Sequence, residues 1–130
     1  MPNAPLISIV EDDELFGDSM RRLLGSLNYR AEAFPSAADF LASRCLDETA
    51  CLIADLHMPA MTGLELYARL IELEHRIPTI LVTAYADEAT RARALKHGIL
   101  CYLPKPFHKD DLLACVRKGV ESDKRRAENS

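Results

Sequence analysis

Four apolar runs each lead into a residue able to do chemistry. LISIV (6–10) meets Glu11, Asp12 and Asp13; CLIA (51–54) meets Asp55; TILV (79–82) meets Thr83; and Ile99–Leu103 leads through Pro104 into Lys105-Pro106. Two unit charges about 4 Å apart repel by about 4 kcal/mol at an effective dielectric of 20, so a site that gathers carboxylates calls for a cation. Hard oxygens with room for water suit Mg²⁺, which keeps several waters and takes few protein ligands. Lys105 would add a fixed positive charge, and Thr83 a hydroxyl able to donate to an anion. An aspartate in such company is suited to attack phosphorus. Metal and ammonium neutralise charge on the transferring group while the carboxylate becomes an acyl phosphate.

For this chemistry the four run ends must meet, and the pattern between them supplies the means. Leu6–Val10 reads as a strand and Glu14–Leu27 as a helix, with Phe16, Met20, Leu23, Leu24 and Leu27 on one face. Arg30–Phe34 is a weaker second strand, after which Ser36 and Asp39 open a helix in a capping-box arrangement. Cys51–Ala54 is the third strand; Pro59 and Gly63 punctuate the loop beyond it, and Thr62 with Glu65 caps a helix to about Glu74. Thr79–Thr83 is the fourth strand, Asp87–His97 a helix closed by Gly98, and Ile99–Leu103 the fifth strand. Asp110 and Asp111 open a last helix reaching about Val120, and the charged tail ESDKRRAENS (121–130) is expected to fray.

Strands alternating with helices imply a parallel sheet covered on both faces, an α/β (βα)₅ doubly wound sandwich. Its functional crevice lies beyond the carboxyl ends of the strands, at the switch point of the winding. All four chemical run ends fall on that edge.

The bulk composition agrees with one ordinary globular domain: 130 residues, 48% hydrophobic, 28% charged, net charge −4. The absence of a basic face argues against direct nucleic-acid binding by this segment. Cys45, Cys51, Cys101 and Cys115 show neither a CxxC pair nor zinc spacing, which fits reduced thiols and a cytoplasmic setting. MPNAPLISIVEDD has no basic leader region and no run approaches membrane-spanning length, so neither signal peptide nor membrane contact is expected.

The segments IVEDDELF, LIADLHMPAMTGLEL, ILVTAYAD and YLPKPF, in this order, resemble the motif set of bacterial two-component receiver domains. The resemblance spans residues 6–120 and is greatest to receivers of the nitrogen-fixation regulator type. It implies a five-stranded sheet in the flavodoxin-like order 2-1-3-4-5, with Asp55 as phosphoacceptor and Asp12 as a direct Mg²⁺ ligand. It further implies that Glu11 holds the metal through water and that the His57 backbone carbonyl completes the protein ligands. Thr83 and Lys105 would bind the phosphoryl oxygens, Tyr102 would be the switch aromatic, and the Lys105–Pro106 peptide would be cis. His57 and Tyr85 stand where the family tunes hydrolysis, and their bulk suggests restricted water access. By the same resemblance a sensor histidine kinase is the phosphodonor, phosphorylation favours a homodimer, and a helix-turn-helix effector can follow the tail.

Taken singly, each residue has a plainer use. Asp13 suits a helix N-terminus, where acids favour the macrodipole. Thr83 suits a strand end, Tyr102 suits packing, and Arg91, Arg93 and Lys96 a solvated helix. His75, His97 and His108 read as surface or helix-end groups. Two other phosphate chemistries fit less well. A haloacid-dehalogenase-like phosphohydrolase needs D-x-D, where this chain has His57, and a nucleotide module needs a glycine-rich loop that is absent.

Overall fold

A computed structural model describes residues 4–128. Five parallel strands form one sheet in the order β2-β1-β3-β4-β5. They are β1 Leu6–Val10, β2 Arg30–Phe34, β3 Thr49–Asp55, β4 Thr79–Thr83 and β5 Cys101–Pro104. Between and after them run α1 Glu14–Ser26, α2 Ala37–Leu41, a 3₁₀ turn at Arg44–Glu48, α3 Gly63–Glu72, α4 Glu88–Lys96 and α5 Lys109–Glu128. Winding reverses at β1 and β3, which are neighbours although β2 separates them in the chain.

Side chains alternate across a strand, so a strand covered on both faces must be apolar throughout. β1 is buried at every position, and so is β3. Ile7, Ile9, Cys51, Ile53, Ile80 and Val82 pack with Met20 and Leu24 of α1 and Leu112 and Val116 of α5. Val10, Leu52, Ala54 and Leu81 pack on the other side with Phe40, Leu66, Leu70 and Ala94 of α2, α3 and α4. β2 is an edge strand of mixed exposure, which accounts for its weaker apolar signal.

Several boundaries differ from the sequence reading, each for a local reason. β3 begins at Thr49 rather than Cys51, because the Thr49 hydroxyl donates to the Cys45 carbonyl (2.6 Å) and pairs with Ser8 (2.7 Å) inside the sheet. β5 begins at Cys101 rather than Ile99: the Ile99 N–H is spent on the Ala94 carbonyl (3.1 Å), closing α4. α3 ends at Glu72 rather than Glu74, since Glu74 takes a left-handed φ of 64° and the chain turns there. α5 continues past Val120 to Glu128, correcting the expectation of fraying from residue 121; residues 129–130 lie outside the described residues. Residues 121–128 lack large apolar groups but are rich in good helix formers and contain no glycine or proline, so propensity carries the helix on.

Gly63 and Gly98 are required by local geometry. A Cβ on Gly63 would stand 2.6 Å from the Asp55 carbonyl oxygen and 2.8 Å from Leu81, so the start of α3 can approach the end of β3 only without a side chain. Gly98 closes α4 at φ +108°, with the Tyr67 hydroxyl against it.

Candidate functional site

The acids at the switch point are held by the strand ends that carry them. Glu11 continues β1 by donating its N–H to the Phe34 carbonyl (3.0 Å), and its side chain is buried. Asp12, one residue on, is exposed, and Asp13 turns away to cap α1, accepting from the N–H groups of Leu15 (3.1 Å) and Phe16 (3.2 Å). The Asp13 carboxylate therefore does what an acid at a helix start does, and its backbone N–H serves the cluster by donating to Glu11 Oε2 (3.1 Å). Asp55, 7% exposed, ends β3, and one carboxylate oxygen accepts from the His57 N–H (3.1 Å). One carboxylate oxygen from each of Glu11, Asp12 and Asp55 lies within 4.8 Å of the others, so the three can share a metal ion.

Lys105 crosses the fold to reach this cluster. Its ammonium donates to Glu11 Oε1 at 2.7 Å and to Asp55 Oδ2 at 3.4 Å, bridging residues 94 and 50 positions away in sequence. The Lys105–Pro106 peptide is cis, as the family resemblance implied, and the Lys105 N–H donates to the Thr83 carbonyl (2.7 Å). Burial disfavours the Lys105 charge, but the hydrogen bond to Glu11 and the fields of Glu11 and Asp55 outweigh it and raise its pKa. Burial also raises Glu11; the Lys105 hydrogen bond opposes that rise, and the hydrogen bond to Asp55 adds to it. Desolvation of the buried carboxyl sets the direction of the Glu11 shift, and the neighbouring Asp55 carboxylate acts in the same sense.

Thr83 is fully buried at the end of β4, one step beyond Val82, which pairs with Asp55. Its hydroxyl oxygen accepts from the Tyr85 N–H (3.0 Å), which leaves its proton to donate. His57 and the 75%-exposed Tyr85 meet edge to face, ring centroids 5.5 Å apart, beside the acidic edge. Tyr102 is separate. Its ring packs in the core shared with α3 and α4, and its buried hydroxyl has no hydrogen-bond partner among the described residues. On α4, Arg91 is engaged by Glu88 at 3.2 Å.

Two aromatic residues stand at the site without having been read there from the sequence. Phe16 lies beneath the Lys105 ammonium (4.3 Å to the ring centroid), and Phe107 meets Phe16 edge-on at 6.0 Å. Helical spacing places Phe16 on the apolar face of α1 and carries no signal for a contact with a loop 89 residues away.

Residues 7–117 match the family model of the response regulator receiver domain. The chain belongs to this family. Among its relatives, Nodulation protein W of Bradyrhizobium diazoefficiens is 35% identical over 123 residues, which are 95% of this chain and 54% of that protein. The transcriptional regulatory protein TdiR of Thauera aromatica is 32% identical over 97% of this chain and 56% of its own length. The crystal structure of FixJ-N superposes with a TM-score of 0.81 at 28% identity, covering 92% of this chain and 95% of that one. This receiver thus spans a little over half the length of the full relatives it matches. Among the described residues no helix is long and apolar enough to cross a membrane.

Proposed function

We propose that this receiver accepts a phosphoryl group on Asp55 from a phosphohistidine of a sensor kinase, with Mg²⁺ as cofactor. The observation that carries the reading is Lys105: its ammonium sits between the carboxylates of Glu11 and Asp55, on the edge where three acids converge. The donor set fits the metal, being made of hard carboxylate oxygens, one of them exposed. Asp12 would hold it directly, Asp55 and the His57 backbone carbonyl would add ligands, and Glu11 would act through water. When bound, the metal offsets the repulsion among the acids and the charge of the phosphoryl oxygens.

The residues of the chain do the rest. An Asp55 carboxylate oxygen attacks phosphorus as the phosphorus–nitrogen bond of the donor breaks, and the departing imidazole takes up a proton. Lys105 pairs with one phosphoryl oxygen and Thr83 donates to another, which draws the β4–α4 loop toward Asp55. His57 and Tyr85 restrict the approach of water to the acyl phosphate. Tyr102, with its unsatisfied hydroxyl, is poised to change place when that loop moves, since an unpaired buried hydroxyl costs about 1–3 kcal/mol. The α4–β5 surface carries the change to a homodimer partner or to a transcriptional effector beyond α5, in the cytoplasm. Residues 121–130 then serve as the start of the connection to that effector.

Incubation with acetyl phosphate and Mg²⁺ tests this directly. The expected result is a base-labile gain of one phosphoryl group that Asp55→Asn abolishes. No adduct, together with no spectral response to beryllofluoride, would overturn the assignment. Replacing His57 and Tyr85 by alanine together should speed loss of the adduct, and an unchanged decay would remove their role.

A further inference from the structure

We propose that Phe16 is a positioning residue for the Lys105 ammonium, holding it over the acidic cluster by a cation–π contact that leaves its hydrogen-bonding reach to the cluster intact. The inference rests on the reading of Lys105 as the partner of the phosphoryl group. A lysine ammonium has three N–H donors. Two are accounted for by Glu11 Oε1 (2.7 Å) and Asp55 Oδ2 (3.4 Å), and the Phe16 ring occupies another side of the cation, 4.3 Å from Nζ to centroid. The Lys105 side chain is only 19% exposed, so water cannot readily take the place of the ring. A ring at that distance attracts the cation with its negative face. It offers no oxygen, so nothing on that side competes with an incoming phosphoryl group.

Phe16 is itself held at its backbone and at its ring. The Phe16 N–H is held by the Asp13 carboxylate (3.2 Å) in the first turn of α1, directly after Glu11 and Asp12. Phe107, two residues beyond Lys105, closes the other side edge-on, with an interplanar angle of 73°. Phe16 therefore ties the loop that carries the metal-binding acids to the loop that carries the ammonium. Lysine is a point charge on a flexible four-carbon stem, and without such a contact its position over the cluster would be set by the carboxylates alone. Those carboxylates are the groups that must release it when a phosphoryl group arrives.

A double-mutant cycle in urea, Phe16→Leu with Lys105→Met, measures the contact without reference to phosphorylation. The expected coupling is about five-fold in the folding equilibrium constant, and additivity within about two-fold would overturn the contact. In parallel, the rate of labelling by acetyl phosphate should fall about five- to thirty-fold in Phe16→Leu and Phe16→Met, and return to near the parent value in Phe16→Tyr and Phe16→Trp. Equal rates across the aromatic and aliphatic variants would overturn the positioning role. Should Phe16→Leu fail to fold, Phe16→Met supports the same comparison. If the parent protein takes no label while the cycle shows coupling, the phosphorylation reading fails and the contact stands.

Discussion

α3 and α4 lie against the same face of the sheet and are held in very different ways. α3 buries Leu66 and Leu70 completely, seats Gly63 against the Asp55 backbone, and starts in a full capping box in which Thr62 and Glu65 satisfy each other's N–H groups. α4 buries Ala94 alone, and its N-terminus depends on one exposed acid, Asp87. Burying a leucine side chain contributes roughly 1.5–3 kcal/mol and an alanine far less, so α3 is welded to the core while α4 is lightly attached. Both helices follow strands that end in proposed site residues, Asp55 and Thr83. The difference points to a division of labour: the helix after the proposed phosphoacceptor stays, and the helix after the proposed responding threonine can move at small cost.

Substitutions in the two helices test the contrast. Leu66→Ala should destabilise the fold by about 3–5 kcal/mol in urea denaturation, because a fully buried leucine leaves a cavity; a loss below about 1 kcal/mol would mean that α3 is no better anchored than α4. Gly63→Ala should cost about 1–3 kcal/mol and displace the Asp55 and Leu56 amide resonances, since the added methyl meets the Asp55 backbone as well as the Leu81 side chain. Thr62→Ala, which removes the cap but nothing from the core, should cost about 1 kcal/mol. The smallest global effect belongs to Asp87→Ala, which should raise amide exchange within α4 while leaving the overall unfolding midpoint nearly unmoved. Acid should act in the same sense. Hydrogen bonds from the Thr90 N–H and hydroxyl hold the Asp87 carboxyl below its ordinary range. Its support for α4 is therefore present above the unfolded pKa and is lost as pH falls through the lower folded value. Protection factors in α4, corrected for the intrinsic pH dependence of exchange, that stay constant over that window would contradict this.

Most of the architecture was legible because it depends on local pattern. β1, β3 and β4 are buried on both faces, so they appear in sequence as largely apolar runs, and the Thr62–Glu65 cap is written in residues three apart. What was missed depends on tertiary contacts or on propensity rather than burial. The early start of β3 rests on the Ser8–Thr49 hydroxyl pair, between residues 41 positions apart. The extension of α5 runs through residues whose types favour helix, with no large apolar side chain to signal it. At the site, strand ends converge by the logic of a doubly wound sheet, so Glu11, Asp12, Asp55, Thr83 and Lys105 could be grouped from order alone. Phe16 could not, because its part depends on the pitch of α1 relative to a loop at the far end of the chain.

The central claim is that a phosphoryl group on Asp55 is read out through α4 and β5 while α3 stays in place. Hydrogen–deuterium exchange of the receiver with Mg²⁺, with and without beryllofluoride, tests it most directly. The account predicts altered exchange in the β4–α4 loop, α4 and β5, with the amides of Leu66 and Leu70 unchanged, and no response at all in Asp55→Asn. Equal changes in α3 and α4, or none in α4 when beryllofluoride is bound, would contradict it.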